Sequence, residues 1–516
     1  MSLAELLFPP DGPDGDAADD GAVVAVHAGD EAWDRAALRG RATAVADALV
    51  AAGVRPGSRV AVMLPNGPDA VAALFGTWRA GATHVPVNPR LTDDEVAHVR
   101  ASVAPGAAVG DAAGAERFPG LPVVVVGEGG VTTRPGPPVP VALSGDDVAL
   151  VQFTSGTTGR PKPVLLTHTG VTDLLDGVIR KLRGGSGNAS GGGATAAPAR
   201  APMPNLVPVS LSLWAGIYNV LFAFRVGAPV VLMERFEPAT FAALVRRHGI
   251  RSTVLPPAAM AMLTDAAPDE VGDLAPLRYV RSITAPLSPL QARRFRDRFG
   301  IAVLNSYGQT EIGGEVIGWN AADAREHGED KLGSIGRPHD GVTARVVDEA
   351  GHDAADGDAG ELWLRTPALA AGYAGGADLG DRLSADGWFR TGDMARIDAE
   401  GFVWIEGRLS DMVNRGGLKV FPAEVEEVLR LDPAVADAAV VGVPDDRLGE
   451  VPWAFVVGRE GATPESEALA AHCRRHLAPY KVPVRFEPVD ALPRNEVGKV
   501  LKAGLARHAT DATTTR

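Results

Sequence analysis

Apolar positions along this chain fall into two recurring patterns, one of helical and one of strand period. Residues 34–52 carry apolar side chains at helical spacing, 53–57 (Gly-Val-Arg-Pro-Gly) read as a turn, and 59–64 as a strand. A second helix over 70–80 and a second strand over 82–87 follow, closed by Pro89. The alternation resumes with strands at 229–233, 252–255 and 302–305 and helices at 240–248 and 290–299. This order predicts an α/β fold with largely parallel, buried sheets. From 332 to about 408 short apolar runs are broken by Gly, Pro and Asp, which predicts a β-rich subdomain. A polar break at 407–411 precedes a small α+β unit: helix 422–431, strands 435–442 and 452–457, helix 465–477 and a last helix near Lys502. The expected organisation is an acidic flexible leader over 1–22, a large N-terminal domain over 23–409 and a small C-terminal domain over 410–516.

Residues 211–233 are long and apolar enough to need testing as a membrane span. Asn219, Arg225, Gly227 and Pro229 interrupt them, so a buried helix ending near Phe224 and a short strand explain the stretch better. Gly- and Ala-rich residues 183–204 predict a flexible surface loop. A formal net charge of −14 argues against non-specific nucleic-acid binding, so any polyanionic ligand must meet local cations. The single cysteine, Cys473, excludes an intrachain disulfide and suits a reducing compartment. The opening residues are acidic rather than basic-then-apolar, unlike a secretion signal, and the expected location is cytoplasmic.

Phe153-Thr-Ser-Gly-Thr-Thr-Gly-Arg-Pro-Lys-Pro-Val164 carries the densest chemistry and directly follows a predicted strand. Its glycines and hydroxyls can wrap N–H and O–H donors around phosphate oxygens, although a Gly/Thr surface turn is the plainer alternative. The spacing differs from the P-loop, because no Ser or Thr follows Lys162. Asn305-Ser-Tyr-Gly-Gln-Thr-Glu311 also follows a strand; it offers an aromatic face for a base and a carboxylate for Mg²⁺. Arg390-Thr-Gly-Asp393 ends in an acid that can accept ribose hydroxyls, though an Asx turn is commoner. Arg408 can join the same ribose or a phosphate. Leu492-Pro-Arg-Asn-Glu-Val-Gly-Lys499 presents a lysine on a Gly turn, able to reach a cleft where negative charge grows on a phosphate.

Taken in order, these runs resemble the adenylate-forming superfamily, and most closely its fatty-acyl and aryl-CoA ligases. The likeness extends from Gly53-Val-Arg-Pro-Gly-Ser-Arg-Val60 to Lys502. It implies the adenylate-forming enzyme fold, with a mobile C-terminal domain, and ATP, Mg²⁺ and CoA as cofactors. The implied reaction converts a carboxylic acid and ATP to an acyl-adenylate and pyrophosphate, then passes the acyl group to a thiol. By motif, Thr154, Ser155, Gly156, Thr157, Thr158, Gly159 and Lys162 should cradle the β- and γ-phosphates. Tyr307, with Gly308 and Gln309 beside it, should face adenine, Thr310 the α-phosphate, and Glu311 should bind Mg²⁺. Asp393 and Arg408 should hold the ribose, and Lys499 should catalyse adenylation. Gly416 and Gly417, within Asn414-Arg-Gly-Gly-Leu-Lys-Val-Phe-Pro-Ala-Glu-Val-Glu426, should let the CoA arm pass close to backbone.

Several positions depart from the family pattern. Pro163 stands where Gly is usual, Ser410 where Asp or Lys is typical of the hinge, and Ser282-Ile-Thr-Ala-Pro-Leu287 replaces a Gly-rich approach to the acyl pocket. No acidic residue lies between Met203 and Met233, which argues against an amino-acid substrate and favours an apolar fatty or aromatic acid. Trp214 reads either as a gate of the acyl tunnel or as a core residue. Three functions follow as alternatives: an acyl-CoA synthetase, a ligase loading an acyl carrier protein or another acceptor, and a non-catalytic nucleotide or acyl binder.

Overall fold

The computed structural model describes residues 2–10, 23–136, 143–154, 161–184, 202–494 and 499–514. An eight-stranded sheet organises the N-terminal half. Its centre is parallel: Val148–Thr154, Thr83–Pro86, Arg59–Met63, Ala107–Gly110 and Val123–Gly127 lie side by side. Its edges are antiparallel, with Gly130–Arg134 at one side and Lys162–Thr167 then Gly372–Tyr373 at the other. The two-residue period of a strand explains the burial on both faces. Val60 and Val62 join the core that holds Leu38, Phe75 and Trp78, whereas Ala61 and Met63 join Val85, Val99 and Phe118 on the opposite side.

Helices Arg35–Ala51 and Pro68–Arg79 cover the first face. Asp34 caps the first by accepting from the Ala37 N–H, and Pro68 starts the second at a position where its missing N–H costs nothing. Gly76 lets the two helices approach: a β-carbon there would lie 2.6 Å from the Ala42 carbonyl oxygen and 2.9 Å from Val45 Cβ.

A second sheet joins Ser252–Leu255, Tyr279–Ser282 and Ala302–Gln309 in parallel, then turns antiparallel through Gly314–Gly318 and Arg337–Pro338. A third joins Asn205–Val207, Val230–Leu232, Val24–Ala28 and Glu31–Asp34. The β-rich stretch forms a four-stranded antiparallel sheet of Thr343–Val347, Gly360–Arg365, Phe389–Ile397 and Val403–Arg408. After the short turn Leu409–Asp411, a fifth sheet contains Val435–Asp445 and Gly449–Gly458 and is packed on both faces. Val440 and Val456 meet Val425, Leu429, Leu469 and Cys473 on one side, while Val441 and Phe455 meet Leu505 on the other. Cys473 is fully buried, and burial pushes its thiol up to about 11, so it is chemically quiet.

Three expectations change. Residues 2–10, expected to be part of a flexible leader, pack into the main core: Leu3, Leu6 and Leu7 are buried, and Arg39 donates to the Leu7 carbonyl. The acidic composition of 11–20 masks this apolar turn in the sequence. The strand expected over 302–305 runs on through Tyr307 to Gln309, so the motif beyond Asn305 is itself strand. The helix His168–Gly184 enters the stretch expected to be a loop, whose residues 185–201 lie outside the described residues. Residues 211–233 hold the buried helix Trp214–Arg225, and no helix among the described residues is long and apolar enough to cross a membrane.

The crossing at Gly76 is directly testable. Gly76→Ala should lower stability by about 1–3 kcal/mol through overpacking, read as a reduced urea midpoint. An unchanged midpoint would contradict the close approach.

Candidate active site

An open cleft of about 1800 Å³ draws its lining from the first, second and fourth sheets and from the chain around Lys499. The residues that line it belong largely to strand ends and the turns beyond them, where α/β sheets usually leave a crevice. One wall begins at Thr154, paired in register with Lys162 across the antiparallel edge. Ser155, Gly156, Thr157, Thr158 and Gly159, on the connection between them, lie outside the described residues. Pro163 is a strand residue opposite Phe153 rather than part of the connecting loop, so its missing N–H bears on the sheet ladder instead.

A continuous polar network crosses the cleft. The Lys162 ammonium sits 5.6 Å from the centre of the Tyr373 ring, and the Tyr373 hydroxyl donates to Glu311 Oε1 at 3.4 Å. Arg382 joins two acceptors of the network, with Nη1 2.6 Å from Glu311 Oε1 and Nη2 2.6 Å from Gln309 Oε1. Gln309 Nε2 donates onward to Asp393 Oδ2 at 2.8 Å, which also accepts from the Tyr307 hydroxyl at 2.5 Å. Asp393 Oδ1 meets Arg408 Nε at 3.1 Å, a contact set by their direct pairing across Phe389–Ile397 and Val403–Arg408. Burial, reinforced by the Asp393 charge, holds the Tyr307 phenol well above its ordinary pKa, so it stays a donor.

Gly308 serves the hairpin itself. A β-carbon there would overlap the Gly314 carbonyl oxygen, so only glycine admits this strand crossing. Thr310 opens the short turn Thr310–Ile312 and lines the cleft. Lys499 is presented by a tight return of chain, in which Arg494 pairs with Val500 and the Leu501 N–H donates to the Pro493 carbonyl. Residues 495–498 lie outside the described residues. Burial, and then the nearby Arg408 guanidinium, hold the Lys499 ammonium below its usual pKa, while Asp411 and Asp393 oppose that shift.

Gly416 and Gly417 do not join this cleft. They turn the hairpin between Val413–Arg415 and Leu418–Val420 with φ of 61° and 89°, the left-handed pair that a two-residue hairpin loop requires. Ser410 lines the cleft and donates to the Asp411 carboxylate at 2.9 Å.

The other limb of the cleft is a slot. One wall is the stripe Trp214, Ala215, Tyr218, Asn219 and Phe222 of the helix Trp214–Arg225. The opposite wall is one face of the second sheet, where Val254, Arg281 and Leu304 lie in a single cross-strand row. Trp214 is both buried and cleft-lining, fixed by donating Nε1–H to the Gly313 carbonyl at 2.8 Å. Ile283 and Thr284 also line the cleft; Thr284 holds a φ of 73°, strained for a β-branched residue.

Sequence reading missed two groups here. Arg382 carries no local signal, because only folding brings residue 382 beside Glu311. Arg281 and Glu315, 3.0 Å apart, make the slot less apolar than expected. His339 Nε2 lies 3.0 Å from Glu315 Oε1, and burial keeps its ring neutral.

The AMP-binding enzyme family matches residues 15–374, and the AMP-binding enzyme C-terminal domain matches 424–499. The chain belongs to the AMP-binding enzyme family. That membership places it in the adenylate-forming superfamily. A feruloyl-CoA synthase from Amycolatopsis sp is 34% identical over 490 residues, covering 94% of this chain and 95% of the relative. A fatty acid–[acyl-carrier-protein] ligase, ScoC, from Streptomyces coeruleorubidus is 32% identical, covering 89% of this chain and 88% of its own. ATP-bound MatB from Rhodopseudomonas palustris superposes with a TM-score of 0.84 at 27% identity, covering 99% of this chain and 100% of that one.

Glu315 is held ionised: burial opposes its charge, but Arg281 and the His339 hydrogen bond keep its pKa down at about 2. This stabilisation should be present above the ordinary glutamate pKa and lost as the pH falls toward 2. Glu315→Ala, which strands Arg281, should cost about 3–5 kcal/mol in equilibrium urea unfolding at neutral pH. A loss below about 1 kcal/mol would refute the buried pairing.

Proposed function

We propose that this protein is an ATP-dependent acid–thiol ligase that adenylates a fatty or aromatic carboxylic acid and transfers the acyl group to CoA. The observation that carries this reading is the meeting of Lys499, Arg408 and Glu311 in the lining of one cleft, with the buried Asp393 carboxylate behind Arg408. A carboxylate is a poor electrophile. In the first step its oxygen attacks the α-phosphorus of ATP, the bond to the bridging oxygen breaks, and pyrophosphate leaves. In the second step a thiol sulfur attacks the acyl carbon, the bond to the AMP oxygen breaks, and the thiol proton passes to solvent.

Each residue has a physical task in this scheme. Asp393 already accepts from Tyr307, Gln309 and Arg408, so roughly one of its four acceptor positions remains for a ribose hydroxyl. Tyr307 lines the adenine side, and Thr310 reaches the α-phosphate. Residues 154–159 with Lys162 receive the departing phosphates. Lys499 stabilises the charge that grows between carboxylate and α-phosphate, in a partly dry site where such stabilisation is strongest. Glu311 is a single carboxylate, and Mg²⁺ commonly needs only one or two protein carboxylates beside phosphate oxygens, so the donor set fits. When bound there, Mg²⁺ would neutralise phosphate charge; Arg382 would have to give up its contact with Glu311.

Lys499 faces the cleft, whereas the Gly416–Gly417 hairpin of the same small domain does not line it. Rotation of that domain would exchange one for the other between the two steps. A second reading, transfer to an acyl carrier protein, is favoured by the carrier-protein ligase among the relatives. Product analysis with free CoA against holo carrier protein separates the two, and absence of acyl-CoA would sink the first.

Two outcomes test the catalytic assignment. Lys499→Ala should lower acid-dependent pyrophosphate release by about 10²–10³-fold while ATP affinity changes little. Wild-type release from that variant would overturn the role. Because the charged lysine is the active form and its pKa is lowered, single-turnover adenylation should decline with rising pH below the ordinary lysine range. A rate that stays flat through that range would contradict it.

A further inference from the structure

The Glu311 limb of the cleft holds an arginine whose contacts divide into two sets. Arg382 ends the short turn Gly380–Arg382 and lays its guanidinium against the strand Phe389–Ile397. Its central carbon lies 4.4 Å from the middle of the Phe389 ring. Nε donates to the Arg390 carbonyl at 3.3 Å, and Nη2 donates to the Thr391 carbonyl at 3.1 Å and to Gln309 Oε1 at 2.6 Å. Nη1 is the atom turned to Glu311, 2.6 Å from Oε1.

That division sets what can move. Losing Glu311 releases Nη1, yet it leaves Nε, Nη2 and the stacked face tied to one strand and to Gln309. The head therefore stays at the cleft wall, with 33% of the side chain still exposed.

Charge explains the pairing and what would replace it. Glu311 is 7% exposed, and a carboxylate so enclosed is costly without a cation beside it. Lys162 reaches Glu311 only through the ring and hydroxyl of Tyr373, which also meets Arg382, and Asp393 reaches Arg382 only through Gln309. Arg382 is thus the direct counter-charge of Glu311. Once Glu311 is given over to Mg²⁺, as in the reading above, Nη1 and the metal would be like charges on one carboxylate. ATP brings more negative charge than one divalent cation cancels, and a guanidinium edge matches phosphate oxygens in shape as well as charge. In a chain of net charge −14, a polyanion depends on such cations lining the cleft.

We infer that Arg382 is a phosphate-binding residue held in reserve, paired with Glu311 in the empty site and turning Nη1 to the β- or γ-phosphate oxygens of ATP when the metal takes Glu311. This rests on the ligase reading and deepens it.

The test is calorimetric and uses the full chain, with ATP in excess Mg²⁺ and with AMP as titrants. Arg382→Gln should weaken ATP binding by about 10–100-fold, the loss expected for charge-assisted hydrogen bonds. AMP lacks the β- and γ-phosphates and should keep its Kd within about twofold. Arg382→Lys keeps a charge beside Glu311 but neither the fork nor the flat stacking face, so it should recover only part of the loss. It carries the test if the melting temperature shows that the Gln variant folds poorly; wild-type ATP affinity in it would then overturn the proposal. In a folded Arg382→Gln protein, unchanged ATP affinity would leave Arg382 a structural clamp, and tighter binding would make it a competitor of the metal. An equal loss for AMP would move its contact away from the β- and γ-phosphates. Each of these results overturns the proposal. Pyrophosphate release is measured separately: the expected Kd pattern without acid-dependent release would uphold Arg382 and reject the ligase reading. Release with ATP affinity indifferent to Arg382→Gln would do the reverse.

Discussion

The carboxylate of Asp393 joins parts of the site that otherwise belong to separate sheets. It takes the Tyr307 hydroxyl and the Gln309 amide from the second sheet and the Arg408 guanidinium from its own neighbouring strand. A carboxylate so nearly buried persists only when several donors face it, so its presence locks the register between the two sheets. Arg382 extends the lock from Gln309 to Glu311, and Tyr373 carries it to Lys162. This limb of the cleft is thereby preorganised by protein groups, which is what makes electrostatic stabilisation effective without later rearrangement.

Lys499 and Arg494 are the cations that the small C-terminal domain brings to this cleft among the described residues. The depressed pKa of Lys499 has a plain origin, since burial removes water from the ammonium and Arg408 repels it. A lysine in that state is poised to gain from negative charge arriving nearby. The same domain carries Gly416 and Gly417 on a hairpin whose backbone needs glycine for its own turn, so their identity has a structural cause as well as the proposed one.

Much of the fold was legible because hydrophobic period and burial coincide. The strand Ser252–Leu255 and the helices Arg35–Ala51, Pro289–Phe299 and Pro422–Arg430 lie where the pattern puts them, within a residue or two. Errors arose where a local rule conflicted with a distant partner. The strand expected to end at 305 continues, because pairing with Gly314–Gly318 keeps Tyr307 and Gly308 extended. The N-terminal Leu3 and Leu6 sit beside an acidic stretch, yet the core of the first sheet buries them.

The order of the motifs, the Gly- and Thr-rich run at 153–164 and the lysine near the end are one-dimensional features, enough in themselves to assign the superfamily. The core of each element is equally readable in one dimension, because apolar periodicity is a local property of the chain. What needed the folded chain is that Arg382 meets Glu311, that Arg281 meets Glu315, and that Tyr218 lines the same slot without a partner for its hydroxyl among the described residues. The first two pairs are 71 and 34 residues apart along the chain, and closing such loops leaves no local trace. No periodicity records such distances. They arise from how strand order and helix packing bring remote side chains into one poorly solvated space, where an unmet charge or hydroxyl costs most.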